Sequence, residues 1–250
     1  MYNQIYNFCK VRNLGNIYKN CPENLNPRIN FLLSLLDRES IPYEIDKFEA
    51  KKTFGFNIIL RGQSNKMVIA HHDIVNPDID NANDNSASVI NAIVLKKLRP
   101  ELNVVLLDGE ECGGLGSTRL ANCINRGDFG NICWVLNLEL TGRGGKYFFI
   151  GDYPGNLTNH IKSIFDPPII TTPFNDSVIL NRMGIDSVVI NPLPPIIDGP
   201  INESFPKWKN DLYLDFRLLY NCHSKRDTID TISIDDMKEF VEEVLLKIVD

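Results

Sequence analysis

The chain has 250 residues, 43% of them hydrophobic, and carries 32 Asp and Glu against 26 Lys and Arg, a formal charge of −6. That supports one sizeable core over residues 1–250 and requires no second domain. An acidic balance without a basic block argues against nucleic acid as a partner, and no apolar run approaches membrane-spanning length.

The opening residues, MYNQIYNFCKVRNLGN, show neither an apolar h-region nor a small-residue cleavage site, so a cytoplasmic protein is expected. Cys9, Cys21, Cys112, Cys123, Cys133 and Cys222 follow no CxxC or framework spacing and read as free thiols. Glycosylation patterns at Asn156, Asn175 and Asn202 carry little weight without a secretion signal.

Residues 1–26 lack a clear period and read as a short helix or arm packed on the main body. From Pro27 a helix is predicted: Ile29, Leu32, Leu33 and Leu36 keep helical spacing, proline suits the first turn, and Pro42 ends it. Residues 43–48 alternate like a half-exposed strand. Residues 54–60 (FGFNIIL) and 67–70 (MVIA) are apolar strands around the turn Gln63-Ser64-Asn65 and are expected to pair through it. A helix over 84–98 carries the stripe Val89, Ile90, Ile93, Val94 and Leu98. The run 103–107 (NVVLL) suits a strand covered on both faces. A helix over 113–124, strands over 133–140 and 146–150, helices over 156–165 and 176–183, and a strand over 187–190 follow. Residues 191–222 are proline-rich and aperiodic, a long loop of the kind that is usually functional. In the last helix Met237, Phe240, Val241, Val244, Leu245 and Ile248 share one face, and Ser233 with Asp236 resembles a capping box. Strands alternating with helices predict an α/β sandwich, a largely parallel sheet covered by helices on both faces.

In such folds ligands bind beyond the carboxyl ends of the strands. The strand 67–70 ends at His71. The strand 103–107 ends at Asp108-Gly109-Glu110-Glu111, and 133–140 ends around Asn137 and Glu139. His223 follows the irregular stretch. Three of the four histidines lie in these places, and the fourth, His160, reads as structural. Imidazoles and carboxylates on one edge suit zinc. His71 with Glu139 suits one ion, Glu111 with His223 a second, and Asp84 is placed to bridge them, as in the paired ions of aminopeptidases. Glu110 remains as a general base. Asp73, two residues beyond His71 on an extended segment, faces the same way and can fix its tautomer, whereas His72 faces the other side. Singly, each residue has a plainer role: Asp84 as a helix cap, Glu110-Glu111 as a solvated turn, His223 as a surface histidine. Their joint order at successive strand ends favours the metal site.

The blocks His71-His72-Asp73, Asn83-Asp84-Asn85-Ser86-Ala87-Ser88, Glu110-Glu111-Cys112-Gly113-Gly114-Leu115-Gly116-Ser117, Asn137-Leu138-Glu139 and His223 to Thr228 resemble metallopeptidase family twenty-eight, from about residue 27 to the C-terminus. That family includes bacterial leucyl aminopeptidases with two zincs and, as a close branch, the glutaminyl cyclases. The resemblance implies a three-layer α/β/α sandwich around a mixed, mostly parallel sheet. It implies His71, Asp84, Glu111, Glu139 and His223 as ligands of two zinc ions, Asp84 as the bridging residue before an unusual cis peptide, Glu110 as general base, and Asp73 as the partner of His71. Asp176 and Ser177 resemble a family segment beside the substrate pocket. Glu139 stands where the family more often has Asp, and Cys222 where some relatives place Tyr or Trp. Tyr213 and Tyr220 are the groups in the irregular stretch that could stabilise an oxyanion.

The implied function is zinc-dependent removal of N-terminal residues from peptides by metal-activated water. A glutaminyl cyclase-like acyltransferase with one zinc at Asp84, Glu111 and His223 is the alternative. A non-catalytic binding module ranks last, because no ligand is missing.

Overall fold

A computed structural model describes residues 1–12, 26–50, 53–192 and 222–250. The N-terminal turn Tyr2–Gln4 leads into helix α1 (Ile5–Phe8), and α2 spans Pro27–Arg38. Asn26 caps α2 by accepting the Ile29 N–H, with Pro27 in the first turn. Strands β1 (Glu44–Ala50), β2 (Thr53–Leu60) and β3 (Lys66–His71) precede helix α3 (Ala87–Leu98) and strand β4 (Asn103–Leu107). Then come α4 (Leu115–Asn125), β5 (Trp134–Leu138), β6 (Phe148–Gly151), α5 (Asn156–Ile164), β7 (Ile169–Ile170), α6 (Asp176–Arg182) and β8 (Ser187–Pro192). The closing helix starts at α7 (Ile234–Phe240) and runs through one wider turn, Val241–Leu245, into α8 (Leu246–Val249). Ser233 accepts the Asp236 N–H and donates to its carboxylate, which forms the expected cap.

The strands form one sheet in the order β1-β2-β4-β3-β5-β8-β6-β7. The pairings β3/β4, β3/β5, β5/β8 and β6/β7 are parallel, and β1/β2, β2/β4 and β6/β8 are antiparallel. The fold is therefore an α/β sandwich on a mixed, mostly parallel sheet. Alternation along the central strands sorts the core. Val68, Ala70, Val104, Leu106, Leu136 and Leu138 pack with α1, α2, α3, α5 and the closing helix. Met67, Ile69, Val105, Leu107 and Val135 pack on the other face with Leu120 and Ala121 of α4 and Leu180 of α6. Each large aliphatic side chain buried this way contributes roughly 1.5–3 kcal/mol.

Two expectations change. β2 and β3 do not pair across their turn, because β4 lies between them. The first residues of β4 hold the link open: Asn103 accepts the Gly62 N–H at 2.9 Å and donates to the Ser64 carbonyl at 2.6 Å. Gly62 must be glycine there, since a Cβ would collide with the Glu101 carbonyl. The helix expected from Asp84 begins at Ala87, because Asp84 (φ −110°, ψ 89°) and Asn85 (φ −132°, ψ 32°) are not helical. Elsewhere boundaries move by one or two residues, β7 was not anticipated, and Asn191 and Pro192 of the expected loop belong to β8. Residues 193–221 of that loop, with Tyr213 and Tyr220, lie outside the described residues.

The N-terminal segment is fastened by one side chain. Arg28 of α2 is 1% exposed, with its guanidinium 3.8 Å above the Phe8 ring. It donates to the carbonyls of His72 (2.7 Å), Phe8 (3.3 Å) and Val11 (3.2 Å) and to Ser86 Oγ (2.7 Å). These acceptors are neutral, and burial pulls its pKa down to about 10.

Candidate metal centre

Strands β4, β3 and β5 lie side by side and parallel, so their carboxyl ends open on the same edge of the sheet. His71 is the last residue of β3 and continues the face of Met67 and Ile69. Asp108 to Glu111 follow β4, and Glu139 follows β5 directly. Asp84 comes from the turn before α3, and its peptide bond to Asn85 is cis.

These residues meet. His71 Nε2 lies 3.3 Å from Asp84 Oδ1 and 3.5 Å from Glu139 Oε2. His223 Nε2 lies 3.1 Å from Asp84 Oδ2 and 3.1 Å from Glu111 Oε2. Two ligands at about 2.0–2.1 Å from one tetrahedral zinc lie roughly 3.3 Å apart. The ligand atoms of His71, Asp84 and Glu139 all lie within 4.8 Å of one another, a group that could hold a cation. His223 stands at ligand spacing from the other oxygen of Asp84 and from Glu111. Glu139, although a methylene longer than Asp, reaches His71.

Electrostatics favours a cation as well. Asp73, Asp84, Glu139 and Asp176 are buried, and Glu110 and Glu111 are partly buried, against the imidazoles of His71 and His223. Burial pushes the carboxyls of Glu110, Glu111 and Glu139 up, and that of Asp176 to about 7. Burial lowers the pKa of His71, but Glu139, Asp73 and Asp84 outweigh it and raise it well above the usual histidine range. Asp84, Cys222 and Glu111 raise His223. Burial also raises Asp84, but His223 and His71 hold it well below the carboxylate range. Burial thus disfavours the charged forms of Glu110, Glu111, Glu139 and Asp176, and a bound cation would favour them.

The surroundings fix these ligands. His71 Nδ1 faces Asp73 Oδ1 at 3.4 Å, beyond hydrogen-bond distance. Asp73 also accepts the N–H groups of Glu110 and Glu111, both at 3.2 Å. His72 points away: its Nε2–H donates to the Phe56 carbonyl at 3.0 Å, and burial brings its pKa down to about 4. Asn85 donates to the Leu138 carbonyl at 2.9 Å and accepts the Leu140 N–H at 3.2 Å, tying the Asp84 turn to the end of β5. Asn83 accepts the Gly142 N–H at 2.7 Å, and a Cβ on Gly142 would close on that oxygen at the same distance. Asp227 accepts the N–H groups of Asn83 and Asp84. Sequence reasoning gave Asn83, Asn85 and Asp227 no such role. The spacing of Asp227 after His223 was visible, but its acceptor function was not.

A cavity of about 500 Å³ opens from the cluster, with Leu140, Phe149, Pro173, Phe174 and Val189 as apolar wall and Thr172, Asn175 and Asn191 as polar groups. Of the expected pocket residues, neither Asp176 nor Ser177 lines it; the Ser177 hydroxyl pairs with Ser187 Oγ at 2.9 Å and ties α6 to β8. Asp176 is wholly buried, with neither oxygen hydrogen-bonded, within electrostatic reach of His71 and Glu139. His160 lies away from the site, stacked near Trp134 and bonded to the Ile248 carbonyl. No described helix is long and apolar enough to cross a membrane.

The fold is similar to that of a glutaminyl cyclase from an Acidobacteriales bacterium (17% identity, 99% of this chain and 92% of that one, TM-score 0.70). It is also similar to the LapA aminopeptidase of Legionella pneumophila (12% identity, 100% and 70%, TM-score 0.66). A third likeness is to BSAP, a zinc aminopeptidase from Bacillus subtilis (17% identity, 80% and 50%, TM-score 0.59). No curated protein matches the sequence. The family model described as Peptidase family M28 matches residues 57–248. That match covers most of the sequence, and the chain belongs to Peptidase family M28.

Proposed function

We propose that this chain is a zinc-dependent aminopeptidase that holds two ions and removes N-terminal residues from peptides. The observation that carries this reading is the division of Asp84 between two imidazoles, Oδ1 toward His71 and Oδ2 toward His223, each with its own glutamate. When bound, zinc polarises a substrate carbonyl and acidifies water. The chain's own residues do the rest. Glu110, its carboxyl raised chiefly by burial, takes a proton from the attacking water and returns it to the leaving amine. Asp73 holds His71 in register and fixes the backbone of Glu110 and Glu111. The apolar wall of Leu140, Phe149 and Val189 receives the side chain of the terminal residue.

The glutaminyl cyclase reading is kept for one observation: that likeness spans nearly the full length of both chains. It needs only Asp84, Glu111 and His223, and leaves the approach of His71 and Glu139 to Asp84 without a task. A screen of aminoacyl chromogenic substrates, with chelator and then added zinc, separates the two. Hydrolysis lost with chelator and restored by zinc supports the peptidase. Pyroglutamate formation from glutaminyl peptides with one zinc per chain supports the cyclase, and neither activity sinks both.

A further inference from the structure

The residue before the last histidine is a cysteine, and its thiol turns into the metal cluster. Cys222 Sγ lies 2.7 Å from Asp84 Oδ2, the same oxygen that His223 Nε2 approaches at 3.1 Å. A sulfur, a carboxylate oxygen and an imidazole nitrogen from Cys222, Asp84 and His223 all lie within 4.8 Å of one another. As a hydrogen-bond donor the thiol is redundant, because Asp84 already faces His71 on one oxygen and His223 on the other. As a ligand it is not redundant. A zinc-bound sulfur at about 2.3 Å and oxygen at about 2.0 Å lie roughly 3.5 Å apart, so entry of an ion needs the sulfur to retreat by less than an ångström.

We propose that Cys222 supplies a thiolate ligand to the ion held by Asp84, Glu111 and His223, which makes the two metal positions chemically unequal. This rests on the two-ion reading above. The position at His71 and Glu139 has only nitrogen and oxygen ligands and stays open. The position at His223 gains a fourth, soft ligand, binds the more tightly of the two, and prefers zinc or cadmium to magnesium or manganese. As the sulfur–metal bond forms, the thiol proton leaves to solvent.

Cobalt titration of the metal-stripped full chain reads this directly. The first equivalent is expected to bring a near-ultraviolet sulfur-to-cobalt charge-transfer band. The band disappears in Cys222→Ser and persists in Cys112→Ser. Zinc affinity at the tight position falls in Cys222→Ser by more than the roughly 10–100-fold that loss of an outer-shell partner costs. Two cobalt ions bound without the band overturn the thiolate ligand and leave the two-ion reading standing. Failure to bind cobalt overturns both. Iodoacetamide labelling of the unaltered protein gives a second measure that does not depend on the folding of Cys222→Ser. One equivalent of zinc should suppress alkylation of Cys222 at least tenfold, and unchanged labelling overturns the proposal.

Discussion

Asp227 accepts the backbone N–H of Asn83 at 2.8 Å and of Asp84 at 3.1 Å, across 143 residues of sequence in the second case. One carboxylate thereby joins the segment that carries His223 to the turn that presents Asp84. Asp227→Ala leaves two buried donors unpaired, at about 1–3 kcal/mol each. The expected result is a loss of roughly 2–6 kcal/mol in urea unfolding and a roughly 10–100-fold weaker hold on metal in a chelator competition. Unchanged metal affinity would show that the Asp84 turn keeps its shape by itself.

Glu110→Gln should lower turnover by roughly 10²–10⁴-fold while elemental analysis still finds the wild-type metal content. A fall in metal content instead would make Glu110 a ligand, a role its closeness to His71 and Glu111 also permits.

Glu139→Ala removes the carboxylate that lies 3.5 Å from His71 Nε2 and spares the group at His223. Metal content is expected to fall from two ions per chain to one. Retention of two would place the first ion on other ligands.

His72 sets a pH dependence of stability separate from the ligands. Its ring titrates near about 4 when folded, because burial disfavours its charged form, against an ordinary value of 6.5. The unfolded chain therefore binds the proton first as pH falls. The stabilisation is complete above 6.5 and is lost between 6.5 and about 4, at about 1.4 kcal/mol per pH unit. In chelator, His72→Gln should flatten the fall in urea stability over that window, and NMR should find the wild-type ring neutral at pH 5. A ring that titrates near 6.5 in the folded protein would refute this.

The convergence of these side chains was legible because they follow strand ends, where local pattern suffices. The apolar runs before His71, Glu110 and Glu139 mark the ends of β3, β4 and β5, and period-two geometry separates His71 and Asp73 from His72. Contacts made only by distant segments were not legible. Asn103 clasping Gly62 and Ser64 decides that β4 enters between β2 and β3, against the short-turn pairing that local spacing favours. Ser177 looks like a pocket residue until Ser187 takes its hydroxyl. The grip of Asp227 on the Asp84 turn needs the two segments already folded together.

Arg28 gives the beginning of the chain a part in the chemistry at its centre. The region matching the family starts at residue 57, yet the guanidinium upstream of it holds the His72 carbonyl and the Ser86 hydroxyl, next in line to His71 and close to Asp84. Phe8 and Val11 supply its remaining carbonyl acceptors. Trimming the protein to its recognisable catalytic portion would strand a positive charge, or delete it, immediately behind the ligands. The helix Pro27–Arg38 is a foundation stone under the candidate metal centre, although it lies outside the segment that matches the family.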